Sequence, residues 1–168
     1  RVGTQRTGFF KDIEYVPLDA PAAERWQNAL ADPAQLSLSG EAQVTKDGLL
    51  LTRYPSQALV YAGQRRGDGA IRMRAGADGL RQGLRVRSHD KGNHYNLDIP
   101  NQTTLKLQRW DNVAKQSTVL RQFPLPPGFN LNAEHEIELR AEGSTLTVSL
   151  DRQILGSGPA NDRLARVL

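Results

Sequence analysis

Between Glu134 and Leu155 the chain reads Glu-His-Glu-Ile-Glu-Leu-Arg-Ala-Glu-Gly-Ser-Thr-Leu-Thr-Val-Ser-Leu-Asp-Arg-Gln-Ile-Leu, and no other stretch constrains the fold as strongly. Ile137 and Leu139 alternate with Glu136, Glu138 and Arg140; after Glu142-Gly143-Ser144 the alternation resumes at Leu146, Val148 and Leu150. Successive side chains on a strand point to opposite faces, so two period-2 runs joined by a glycine-containing turn predict a β-hairpin with one apolar and one polar side. Asp151-Arg152-Gln153 predicts a second tight turn before Ile154 and Leu155. The apolar side of such a hairpin needs a second layer to cover it.

The same device recurs along the chain. Phe9 to Leu18 reads as a strand, with Pro17 arguing against a central place in a sheet for its end. Ala22, Ala23, Trp26, Ala29 and Leu30 fall at spacings near 3 and 4, which predicts one short helix near residues 21–31 behind Asp19 and Pro21. Residues 35–39, 42–45, 48–53 and 58–62 read as short strands. Ile71 and Met73 alternate with Arg72 and Arg74 up to a turn at Gly76-Ala-Asp-Gly79, and Leu84 and Val86 alternate with Arg85 and Arg87. Tyr95, Leu97 and Ile99, then Leu105 and Leu107, continue the pattern, followed by a looser strand at 113–120 and a loop at Leu125-Pro-Pro-Gly128. Turns every 8–12 residues around a single helical segment predict an all-β, two-sheet antiparallel sandwich.

A chain of 168 residues is one domain, 1–168, able to bury roughly 70% of the surface its unfolded form exposes. It contains no cysteine, which excludes disulfides and thiolate metal ligands. No apolar run is long enough to span a membrane, and the first residues lack the apolar centre of a signal peptide. The net charge of +4 comes from 17 arginines and five lysines dispersed among 18 acids. Aromatic residues make up 6% of the chain, and a one-sided basic patch interleaved with rings is not visible, so nucleic acid is not expected as a partner.

The succession Gly69-Ala-Ile-Arg-Met-Arg, Gly83-Leu-Arg-Val-Arg, His94-Tyr95-Asn-Leu, Leu107-Gln-Arg109-Trp110, Glu134-His135-Glu-Ile-Glu-Leu and Leu146-Thr-Val-Ser-Leu-Asp151 resembles the concanavalin A-like lectin/glucanase superfamily, within it the laminin-G-like and bacterial 3-keto-disaccharide hydrolase-like domains. The resemblance covers roughly residues 40–155 and implies a jelly roll with a saccharide on its concave sheet. Members typically end in a strand like Phe-Arg-Asp-Ile-x-Leu-x-Pro-Leu, whereas here Phe10-Lys11-Asp12-Ile13-Glu14-Tyr15-Val16-Pro17-Leu18 stands at the start. Residues 1–18 are therefore expected to supply the closing strand, as in a circular permutant or a piece cut from tandem repeats. Pairing of that strand with another chain would give a swapped oligomer.

The expected binding residues are Arg72, Arg74, Arg85, Arg87, Asn96 and Asp98 on one face, with Tyr95 and Trp110 as stacking platforms. Guanidinium, amide and carboxylate groups bond sugar hydroxyls, and aromatic faces pack on sugar rings. Glu136-Ile-Glu138-Leu-Arg-Ala-Glu142 only approximates the glucanase Glu-x-Asp-x-x-Glu pattern, so no catalytic residue is assigned. His89 and His94 with Asp90 and Asp98 match no metal-ligand spacing, and no run of Asp/Asn oxygen donors suits the calcium seen in relatives. No cofactor is expected, with calcium kept as the alternative. No Gly-x-Ser-x-Gly elbow or phosphate loop is present. The pattern thus favours a non-catalytic carbohydrate-binding or adhesion-type module, extracytoplasmic or secreted. A glycoside hydrolase or 3-keto-disaccharide hydrolase-like enzyme, and a protein-interaction or spacer domain of a larger bacterial protein, are the alternatives.

Overall fold

The computed structural model describes residues 2–3, 8–18, 26–31, 36–39, 41–51, 57–60, 68–86 and 93–160. In chain order the elements are β1 (Val2–Gly3), β2 (Gly8–Pro17), β3 (Gln27–Asn28), β4 (Leu36–Ser39), β5 (Ala42–Thr45), β6 (Gly48–Leu51), β7 (Gln57–Val60), β8 (Gly69–Ala75), α1 (Ala77–Gln82), β9 (Leu84–Val86), β10 (His94–Asn101), β11 (Thr104–Asp111), β12 (Gln116–Pro124), β13 (His135–Glu142), β14 (Thr145–Leu150) and β15 (Gln153–Pro159). They form a β-sandwich. The larger sheet has the order β15-β14-β13-β8-β2-β6-β5, with β3 also paired to β2, and the smaller has the order β12-β11-β10-β9. A third sheet, β1-β7-β4, completes the described strands, and every strand pair is antiparallel.

The hairpin over 134–155 forms as its alternation requires. β13 and β14 pair with Ile137 opposite Leu150 and Leu139 opposite Val148. The following turn places Asp151 and Arg152 at φ 48° and 66°. Two consecutive left-handed residues are the mark of a two-residue hairpin turn that matches strand twist. Asp151 tolerates this because its carboxylate accepts the Glu136 backbone N–H at 2.9 Å.

Ile71, Met73, Ile137, Leu139, Leu146 and Val148 of the larger sheet share one buried cluster with Leu84, Tyr95, Leu97, Leu105 and Leu107 of the smaller. Burying each such side chain contributes about 1.5–3 kcal/mol, so this shared layer is what holds the sheets together. β2 lies inside the larger sheet between β8 and β6, with Phe10 and Ile13 fully buried and a register irregularity between Phe10 and Asp12. On one flank, β15 closes against β12 and β11. A Cβ on Gly156 would lie 2.8 Å from the Phe123 ring and one on Gly158 2.9 Å from Leu107 Cδ2, while the Arg121 guanidinium covers Phe123 and donates to the Ser157 carbonyl.

Two local expectations change. Of the segment read as helical, residues 19–25 lie outside the described residues, and 26–31 form β3 and a turn in which Asn28 Oδ1 accepts the Leu30 N–H. Ala29 donates to Ile13 O and Gln27 Oε1 accepts from Tyr15, so pairing with β2 overrides the helical spacing. Conversely, the turn read at Gly76–Gly79 is the start of α1, the helix among the described residues. Leu80, fully buried, pins it between the sheets.

Candidate functional site

Because Tyr95, Leu97, Ile99, Leu105 and Leu107 turn into the core, the even-numbered residues of β10 and β11 face outward from the smaller sheet. Register then aligns them in rows across the strands. Arg85, Asn96, Gln108 and Val119 form the middle row; Asp98, Lys106 and Gln122 lie on one side of it, and His94, Trp110 and Ser117 on the other. Neighbouring rows are about 7 Å apart, two residues of strand.

A hydrogen-bond network links these rows. Asp98 Oδ1 accepts from Gln108 Nε2 at 2.8 Å and from Asn96 Nδ2 at 3.2 Å, and Gln108 Oε1 accepts from Ser117 Oγ at 2.9 Å. Both amide donors fall on one carboxylate oxygen, which leaves Oδ2 open. Asn96 Oδ1 is itself buried and has no hydrogen-bond partner. Burial raises the Asp98 pKa from 3.8, and the Gln108 hydrogen bond, the charges of Lys106 and Arg85 and the Asn96 hydrogen bond oppose that rise in part. A desolvated carboxylate on an otherwise polar sheet face lowers stability, and such groups concentrate at functional sites.

The shape of this corner follows from Gly83, which precedes β9. Its φ of 74° and ψ of −168° belong to a region that only glycine enters readily, and a Cβ there would lie 2.0 Å from Leu97 O and 2.9 Å from Asp98 Cβ. No side chain therefore stands beside Asp98 on that side.

Four of the eight expected binding residues come together here: Arg85, Asn96, Asp98 and a half-buried Trp110. Three positions are corrected or displaced. Tyr95 is fully buried and offers no ring face to a ligand. Arg72 and Arg74 lie on β8, on the outer face of the other sheet, because α1 carries the chain from one sheet to the other where a hairpin turn was expected. They are engaged there. Arg72 pairs with Glu14 and covers the Trp26 ring at 3.9 Å, while Arg74 reaches Glu136 at 3.6 Å and Asp12 and Glu134 at 3.8 Å. Arg87, with His89 and Asp90, lies outside the described residues.

Glu136 and Glu138 share that same outer face, bound to Arg152 at 3.2 Å and Arg140 at 3.4 Å. His135 is held by Asp151 Oδ2 at 2.8 Å and by the Asn130 carbonyl at 2.7 Å, and its ring stacks on Phe129. Both ring nitrogens are thus committed to the fold. Among the described residues no group of three or more His, Asp or Glu side chains is placed to hold a metal ion. Lys106, Gln108 and Ser117 were not singled out in the sequence. For Lys106 and Gln108 the period-2 relation to Trp110 was the available signal; Ser117, on β12, had none, and only the strand register shows what the three touch.

No protein-family model matches the chain, and no curated protein matches it in sequence. Among solved structures, it is similar to the carbohydrate binding module CBM66 from Bacillus subtilis, with 18% identity, 74% of this chain and 79% of that chain covered, and a TM-score of 0.48. A likeness of that degree carries no ligand or residue role across. No helix among the described residues is long and apolar enough to cross a membrane.

Proposed function

We propose that this β-sandwich is a non-catalytic carbohydrate-binding module, of the concanavalin A-like kind, that holds its saccharide on the outer face of the four-stranded sheet. One observation carries the reading: an open carboxylate oxygen on Asp98 and a buried, unpartnered acceptor on Asn96 stand on the same face as Trp110. Sugar hydroxyls are donors that such acceptors lack, and the indole offers the apolar surface on which a sugar ring packs. Gln108 and Ser117 hold the Asp98 carboxylate in place, so the acceptor is oriented before a ligand arrives. A module of this kind belongs outside the cytoplasm, where polysaccharide is met.

The second reading, a hydrolase, draws on the raised pKa of Asp98, which suits a general acid. Glycoside hydrolysis uses a pair of carboxylates about 5–10 Å apart, and Asp98 is the one carboxylate on this face among the described residues. A glycan array and hydrolysis assays on the same panel separate the readings. Binding without turnover, lost in Asp98→Ala and in Trp110→Ala, is the expected result. Turnover abolished by Asp98→Asn would favour the enzyme, and silence in both assays a protein-interaction or spacer domain.

A further inference from the structure

Among the described residues most cations have a partner. On the larger sheet Arg72, Arg74 and Arg140 are held by carboxylates, Arg152 by Glu136 and Lys11 by Glu134. Lys106 differs. It stands on the outer face of the smaller sheet opposite Asp98, close enough to influence that carboxylate but with neither an ion pair nor a hydrogen bond. Arg85 projects from the same face on the other side of β10, and its charge also acts on Asp98. Two cations therefore flank the Asp98–Asn96 acceptor pair, one from β9 and one from β11, while the face supplies a single carboxylate among the described residues. That carboxylate already receives two amide hydrogen bonds.

We infer that the saccharide is acidic, bearing a carboxylate or sulfate that pairs with Lys106 while neighbouring hydroxyls donate to Asp98 Oδ2 and Asn96 Oδ1. The inference rests on the carbohydrate-binding reading of the same face and names the class of sugar it selects. A neutral sugar would fill the acceptors and leave the ammonium unpaired next to a bound ligand. An acidic sugar satisfies both kinds of group, since it presents an anion and hydroxyls on one ring. Trp110 lies two rows from Lys106, roughly 14 Å along the strand, so the ligand that reaches both is longer than one ring. Charge-assisted hydrogen bonds are about twice as strong as neutral ones, and the contact is expected to raise affinity about tenfold.

The test uses matched pairs of trisaccharides, galacturonic, glucuronic and mannuronic, each as the free acid and as its neutral methyl ester, with sulfated galactan trisaccharides as the sulfate arm. Calorimetry at low and at moderate salt reads the affinities. The expected result is that an acid form binds about tenfold more tightly than its uncharged counterpart, that the advantage shrinks with salt, and that Lys106→Ala removes the advantage while leaving ester binding in place. Carboxylate and sulfate arms show which anion is preferred. Ester bound as tightly as acid, or a neutral oligosaccharide preferred over every acidic one, overturns the inference and leaves carbohydrate binding intact. Failure of all these sugars and of the neutral panel overturns both.

Discussion

Replacing Gly83 by alanine places a methyl carbon 2.0 Å from the Leu97 carbonyl oxygen and 2.9 Å from Asp98 Cβ. Carbon–oxygen contacts between adjacent strands normally lie at about 3.3–3.6 Å, so β9 and β10 must separate by more than 1 Å or the end of α1 must move. The backbone conformation itself costs about 1–3 kcal/mol for any residue other than glycine, and overpacking of this kind adds about 1–3 kcal/mol. The sum, about 2–6 kcal/mol, is a large part of the roughly 5–15 kcal/mol that stabilises a domain of this size. Gly128→Ala is the control. It shares a positive φ, 76°, but a Cβ there meets nothing within 4 Å, so only the backbone term of about 1–2 kcal/mol applies. Urea unfolding followed by tryptophan fluorescence gives both values from Trp26 and Trp110. If Gly83→Ala costs no more than Gly128→Ala, the close approach of the α1–β9 junction to β10 is refuted, and with it the account of why Asp98 has an open side.

Asp98→Asn keeps an oxygen for Asn96 and Gln108 but removes the buried charge. Because folding raises the Asp98 pKa above 3.8, the wild-type contribution is most favourable below that value and is lost as pH rises through the folded pKa. The variant is therefore expected to be more stable than wild type at neutral pH, with the difference closing as pH falls to about 4; parallel pH–stability curves would contradict this. Arg74→Ala removes half-exposed ion pairs to Asp12 and Glu134 and one to the buried Glu136, which keeps Arg152; it is expected to cost about 1 kcal/mol in urea melts and to leave glycan affinity unchanged, whereas a loss of binding would relocate the site. Leu80→Ala empties the buried anchor of α1 and is expected to cost about 2–5 kcal/mol; a smaller loss would mean that α1 does not pack as described.

How far the fold was readable depends on how local its causes are. The β13–β14 hairpin was legible because Ile137, Leu139, Leu146 and Val148 state their own faces within one stretch of chain. The helix α1 was not. It is six residues with Gly79 inside and glycine at both ends, a composition that reads as a turn, and it is held by contacts that period and propensity do not encode. A Cβ at Gly79 would meet Ala75 Cβ at 2.5 Å, so even that glycine answers to packing against β8. Mistaking this crossover for a hairpin placed Arg72 and Arg74 beside Arg85 on one surface. Asn96 and Asp98 were expected on one outward face from the alternation of their strand, and the structure brings them together there with Trp110. Ser117 was hidden because β12 slips register between the partners of Leu107 and Gln108, and a register irregularity leaves no mark in a single strand's alternation; Gln108 shares the alternating face of Trp110, but what it touches depends on cross-strand register.

The charge-quenched outer side of the larger sheet has a practical use. With no cysteine in the sequence, a single thiol introduced at the exposed Thr145, at the end of β14, would be a unique attachment point. Immobilised through it, every molecule on a sensor chip or bead would present its four-stranded sheet to the solution in the same orientation.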